Sequence, residues 1–74
     1  MDIHVIAVNH LANPIRDWVV KIVGMHEPLA MIHRRVDDDQ YQTTREFGEQ
    51  IFSSLNEARD YIDIQLNKQM NNIN

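Results

Sequence analysis

The stretch SSLNEARDYIDIQL, residues 53 to 66, constrains this chain more than any other part of it. Ser54 and Glu57 stand three apart just ahead of an apolar run, the S-x-x-E arrangement in which each side chain satisfies a free amide of the other residue. A helix is therefore predicted to start at Leu55 and to continue to about residue 70. Leu55, Ala58, Ile62 and Leu66 recur at spacings of three and four and mark one apolar face, which Met70 and Ile73 would extend. The polar NNIN of residues 71 to 74 predicts fraying.

The first half of the chain has a different period. Ile3, Val5 and Ala7 alternate with His4, Ile6 and Val8, so residues 2–8 read as a strand with apolar groups on both faces and hence an internal one. Asn9, Asn13 and Pro14 then break it, since Pro14 lacks a backbone donor. A second strand over 16–23 sets Trp18, Val20 and Ile22 against Asp17, Val19, Lys21 and Val23, with Trp18 as the main core aromatic. After the turn formed by GMHEP, a third strand is expected over 29–36. Short connections favour antiparallel neighbours, because a parallel return needs a crossover of about a dozen residues. Residues 46–52 read either as a fourth, edge strand or as a loop, with Gly48 weakening a regular strand. The expected architecture is a single α+β domain over residues 1–74, a three- to four-stranded antiparallel meander with the C-terminal helix packed on one face.

Size and composition narrow the function. A chain of 74 residues buries only about 60% of its unfolded surface, which leaves little room for a large active-site cleft. The absence of cysteine removes disulfides, thiolate zinc sites and a catalytic thiol, and an unstapled chain of this size fits a reducing cytoplasm. No apolar run approaches the roughly 20 residues of a membrane span, and Asp2 and His4 stand where a signal segment would be basic and then apolar, so neither membrane contact nor export is expected. The net charge of −4 is unevenly spread: residues 1 to 36 carry +1 and residues 37 to 63 carry −6. An acidic half opposes nonspecific binding to phosphate backbones.

The octapeptide HRRVDDDQ, residues 33 to 40, concentrates charge most densely. Successive residues of an extended segment point to opposite faces, so Asp37, Asp38 and Asp39 do not converge on one ion, and the run lacks the spacing and glycine of a calcium loop. They are expected to act as a solvated field. His4, His10, His26 and His33 invite a transition metal, yet none forms an i, i+4 pair on a helix, and His4 and His10 would lie about 20 Å apart along a strand. No metal and no cofactor are expected. Ser54 is engaged as a cap, neither serine lies in a G-x-S-x-G turn, and two glycines do not make a phosphate-cradling loop, so no catalytic residue is assigned. Arg16, Lys21, Arg34 and Arg35, with Trp18 for stacking, would have to carry nucleic-acid binding, but Arg34 and Arg35 point to opposite faces and Trp18 belongs to the core.

One residue falls outside the core pattern. At 100° per residue Ile64 lies nearly opposite the apolar stripe, beside Glu57, Asp60 and Lys68 and flanked by Tyr61. Tyr61 and Ile64 ringed by Glu57, Asp60 and Asp63 resemble a small interface with an aromatic anchor and a charged rim. The sequence thus points to a noncatalytic protein-binding module whose acidic half, Asp37, Asp38 and Asp39 included, engages a basic surface on a partner that handles nucleic acid. Small acidic inhibitors of bacteriophages and mobile elements are similar in size and charge. The alternatives are a homodimeric structural protein and a histidine-based metalloenzyme.

Overall fold

The computed structural model describes residues 2–71. Its elements are β1 (Ile3–Ala7), β2 (Asp17–Ile22), β3 (Ala30–Arg34), β4 (Tyr41–Thr43), a 3-10 turn (Arg45–Phe47), β5 (Ile51–Phe52) and α1 (Leu55–Asn71). The five strands form one antiparallel meander in the order β1-β2-β3-β4-β5, with α1 across one face, so the fold is α+β. Each of the first three strands is a residue or two shorter at its ends than the alternation suggests. The expected stripe positions Met70 and Ile73 lie outside the described side chains; of residues 71–74, where fraying was expected, Asn71 closes α1 and 72–74 lie outside the described residues.

The covered face is built from one parity of each strand. Register pairs Val20 with Ala30, Trp18 with Ile32 and Ile32 with Thr43. These side chains meet Ala58, Ile62 and Leu66 of α1, and Val20, Ile32, Ala58 and Ile62 are fully excluded from solvent. Trp18 is buried and packs against Tyr41 at 5.5 Å between ring centroids. Fully burying a side chain of this size contributes about 1.5–3 kcal/mol, so the single layer between sheet and helix supplies most of the stability.

The strand count differs from the expectation for local reasons. Residues 46–52 do not form one strand, because Gly48 and Glu49 both take positive φ (88° and 51°), which interrupts any extended run. Phe47 instead turns into the core, while Ile51 and Phe52 return as a two-residue strand. The buried Thr43 hydroxyl organises this return: it accepts from the Gln50 amide at 3.0 Å and donates to the Gln50 carbonyl at 3.4 Å. The remaining strand, β4, lies upstream of the expected segment.

The position of β1 is also corrected. Apolar residues on both parities suggested an internal strand, but β1 is a sheet edge, with Ile6 and Val8 about half exposed on the face that α1 does not cover. A meander puts its first strand at the edge whatever its composition. The helix begins at Leu55 as expected, with Ser54 Oγ accepting from the Glu57 amide at 3.1 Å. The return contact is shifted by one residue: Glu57 Oε2 accepts from the amide and hydroxyl of Ser53, at 3.1 and 2.7 Å.

Candidate functional site

Strand β5 enters α1 through Ser53 and Ser54, and this short connection brings Phe52 beside the first two turns of the helix. Phe52 packs on Tyr61 with ring centroids 5.1 Å apart. The Tyr61 hydroxyl donates to the Phe47 carbonyl at 2.9 Å, so this ring is tethered at both ends. Ile64, one turn further along, is 53% exposed. Together Phe52, Tyr61 and Ile64 floor an open depression of about 400 Å³, rimmed by Glu57 and Asp60. Its lining is almost wholly apolar. It suits a bulky aliphatic or aromatic side chain with a cation beside it.

The rim carboxylates differ in freedom. Glu57 is held by Ser53, which fixes its charge at the mouth of the depression. Asp60 is two-thirds exposed, with Arg59 at 3.4 Å. An exposed neighbouring pair of this kind is weak, so an incoming cation competes for Asp60 readily.

Of the sequence-derived site residues, the structure brings together Glu57, Asp60, Tyr61 and Ile64. Asp63 does not line the depression. Tyr61 and Asp63 lie about 100° to either side of Ile62, so they occupy opposite flanks of α1. Asp63 is half-buried, and its Oδ1 is shielded with no hydrogen-bond partner among the described residues. Phe52 was missed, because a two-residue strand carries no periodicity.

The acidic loop is separate. Asp39 lies 3.6 Å from Arg16 and 3.5 Å from Arg34, and Asp38 lies 3.4 Å from Arg35. Asp38 Oδ1 also accepts from the Gln40 amide at 3.1 Å. Only Asp37 of the three has no hydrogen bond or ion pair among the described residues. These contacts draw Arg16, Arg34 and Arg35 into local pairing with two of the three carboxylates.

His33 and Asp17 are hydrogen-bonded at 2.7 Å on the uncovered face of the sheet, where His4 also lies. His10 and His26 are exposed in separate connections. Among the described residues, no three His, Asp or Glu side chains converge as metal ligands, and no helix is long and apolar enough to cross a membrane. A second, more polar depression of about 400 Å³ opens on the uncovered face between His33, Gln42, Thr44, Glu46 and Glu49. No known protein family matches the chain, and neither do the curated proteins or solved structures with which it was compared.

Proposed function

We propose that this protein is a noncatalytic binding module that takes a bulky apolar side chain, flanked by basic residues, of a partner protein into the depression between β5 and α1. The observation that carries this proposal is the exposed Ile64 beside the tethered Phe52–Tyr61 pair, with Glu57 and Asp60 at the rim. An aromatic anchor inside a charged rim is the arrangement that concentrates binding energy in protein interfaces. The rim carboxylates accelerate encounter with a basic surface, and the apolar floor sets the dissociation rate. A partner with such a surface is commonly one that handles nucleic acid, so occupying it would inhibit by competition, in the manner of small acidic inhibitors of bacteriophages and mobile elements.

The test is affinity capture from the native host with wild type and Ile64→Asp side by side, each binding protein then being measured for affinity. Ile64 is on the surface, so the variant should fold normally and lose its basic partner by at least about thirtyfold, the loss expected at an interface centre. Equal capture by both proteins would contradict the proposal.

A further inference from the structure

The depression between β5 and α1 lies at a free edge of the sheet. β5 is the last strand of the meander, and the flank of α1 that carries Tyr61 is the one that meets Phe52 of that strand. Hydrogen bonding between β4 and β5 fixes which backbone groups face outward. The Thr43 amide donates to the Gln50 carbonyl at 2.9 Å, and register pairs Gln42 with Ile51 and Tyr41 with Phe52. Bonded and non-bonded pairs alternate along an antiparallel ladder, so Gln42 and Ile51 form a non-bonded pair. The N–H and C=O of Ile51 therefore point away from β4 and out of the sheet edge. Phe52, the next residue, turns its ring to α1 and floors the depression. Ser53 follows with its amide closed by Glu57 Oε2 at 3.1 Å. One outward backbone donor and one outward acceptor thus lie directly beside the apolar floor, and the strand edge ends where the rim carboxylate begins.

We infer that the partner segment filling the depression is extended and adds to β5 as a further antiparallel strand. This deepens the reading of the depression as the partner site and rests on it. The partner residue opposite Ile51 exchanges both backbone hydrogen bonds with it. The residue before that one stands opposite Phe52 in a non-bonded pair, where side chains approach most closely, and points to the face that α1 covers. Its side chain is the apolar anchor, seated on Phe52, Tyr61 and Ile64. Residues two apart on a strand share a face at a spacing of about 6.6 Å. The partner residue two positions ahead of the anchor therefore faces the start of α1, where Ser53 holds the Glu57 carboxylate. A basic residue at that position, any residue next and the apolar anchor third make the recognised pattern. Backbone bonds to a sheet edge combined with pockets for alternate side chains are a recurrent mode of peptide recognition. Here the anchor and the charge supply most of the affinity, and the two bonds at Ile51 fix register and direction.

The experiment is titration of the protein with a lysine-rich peptide bearing one central tryptophan, alongside two versions carrying a single backbone N-methyl group. Methylation of the residue after the tryptophan removes the amide that faces Ile51 and should weaken binding by about tenfold. Methylation of the tryptophan's own amide, which faces away from β5, should change affinity by less than about threefold. Ile51→Pro removes the outward donor on the protein side, at an edge position where proline is tolerated, and should weaken the unmodified peptide by about tenfold. The peptide already methylated after the tryptophan should lose little more on this variant, since the two changes disrupt one pairing. If Ile51→Pro fails to fold, judged by circular dichroism, the two methylated peptides decide alone. Binding that is lost in Ile64→Asp but indifferent to both methylations, or equally sensitive to both, would overturn the strand and leave the depression as the partner site. No saturable binding of the unmodified peptide would overturn both readings.

Discussion

Two carboxylate clusters, the β3–β4 loop at Asp37–Asp39 and the α1 flank at Glu57 and Asp60, look equivalent when charges are counted along the chain and differ once it is folded. The loop carries three acids, but β2 and β3 bring Arg16, Arg34 and Arg35 to it, and two of the three carboxylates are paired. The α1 flank carries two acids, of which Asp60 is paired with Arg59 and Glu57 has no ion pair among the described residues, and they border an apolar floor. Charge density in sequence therefore does not locate an electrostatic surface. What matters is which cations the fold brings within reach, and whether apolar area lies beside the charge that remains. The loop is a local structure closed on itself, with Asp39 at positive φ and its amide donating to the Arg35 carbonyl at 3.1 Å. The flank is a surface left open.

Substitutions at the two clusters should separate along this line. The largest effect is expected from Ile64→Asp, which puts an unpaired charge over Phe52 and Tyr61: partner affinity should fall by about 2 kcal/mol or more with the thermal midpoint unchanged, read by calorimetry of binding and by melting. Tyr61→Ala should cost about 2 kcal/mol of stability, since it removes the Phe52 packing and the bond to Phe47 from a half-buried ring, and binding should weaken as well. Urea denaturation measures the first loss and titration the second. Ser54→Ala should destabilise by about 1 kcal/mol through the lost cap, while leaving affinity at saturating partner nearly intact. An unchanged denaturation midpoint would mean that Ser54 does not hold the start of α1.

The smallest effect is expected from converting Asp37, Asp38 and Asp39 together to asparagine. Exposed ion pairs contribute about 0–1 kcal/mol each, and asparagine tolerates the positive φ of Asp39, so stability should fall by about 1 kcal/mol or less. Association with a basic partner should slow less than it does for Glu57→Gln combined with Asp60→Asn, because the loop charge is already matched by arginine. Stopped-flow association at several salt concentrations distinguishes the two. A larger loss of on-rate from the loop variant would restore the loop as the steering surface.

Much of the fold is legible in the sequence where one residue type meets one local requirement. The Ser54–Glu57 spacing marks the helix start, and the parity of Trp18, Val20 and Ile22 marks the covered face. Elements of two or three residues are not legible in this way. Tyr41–Thr43 and Ile51–Phe52 are strands because their neighbours pair with them, and Phe52 reaches the candidate site only through that pairing. The match between Arg16 and Asp39 spans 23 residues and depends on strand register, so no local pattern announces it. The flank of Asp63 was legible in principle, since a helical wheel already places it about 200° from Tyr61. The exposure of Ile64 is the part of the site that sequence conveys best, because it breaks a periodicity whose other members are core.

The central claim, that the β5–α1 depression and not the acidic loop receives a basic partner, is tested most directly by titrating isotopically labelled protein with a short lysine-rich peptide bearing one central tryptophan and following backbone amide shifts. Saturable shifts centred on Phe52, Glu57, Asp60, Tyr61 and Ile64, with residues 35–40 little changed and the response absent in Ile64→Asp, are the predicted result. Shifts centred on residues 35–40, or no saturable shifts at the depression, would contradict it.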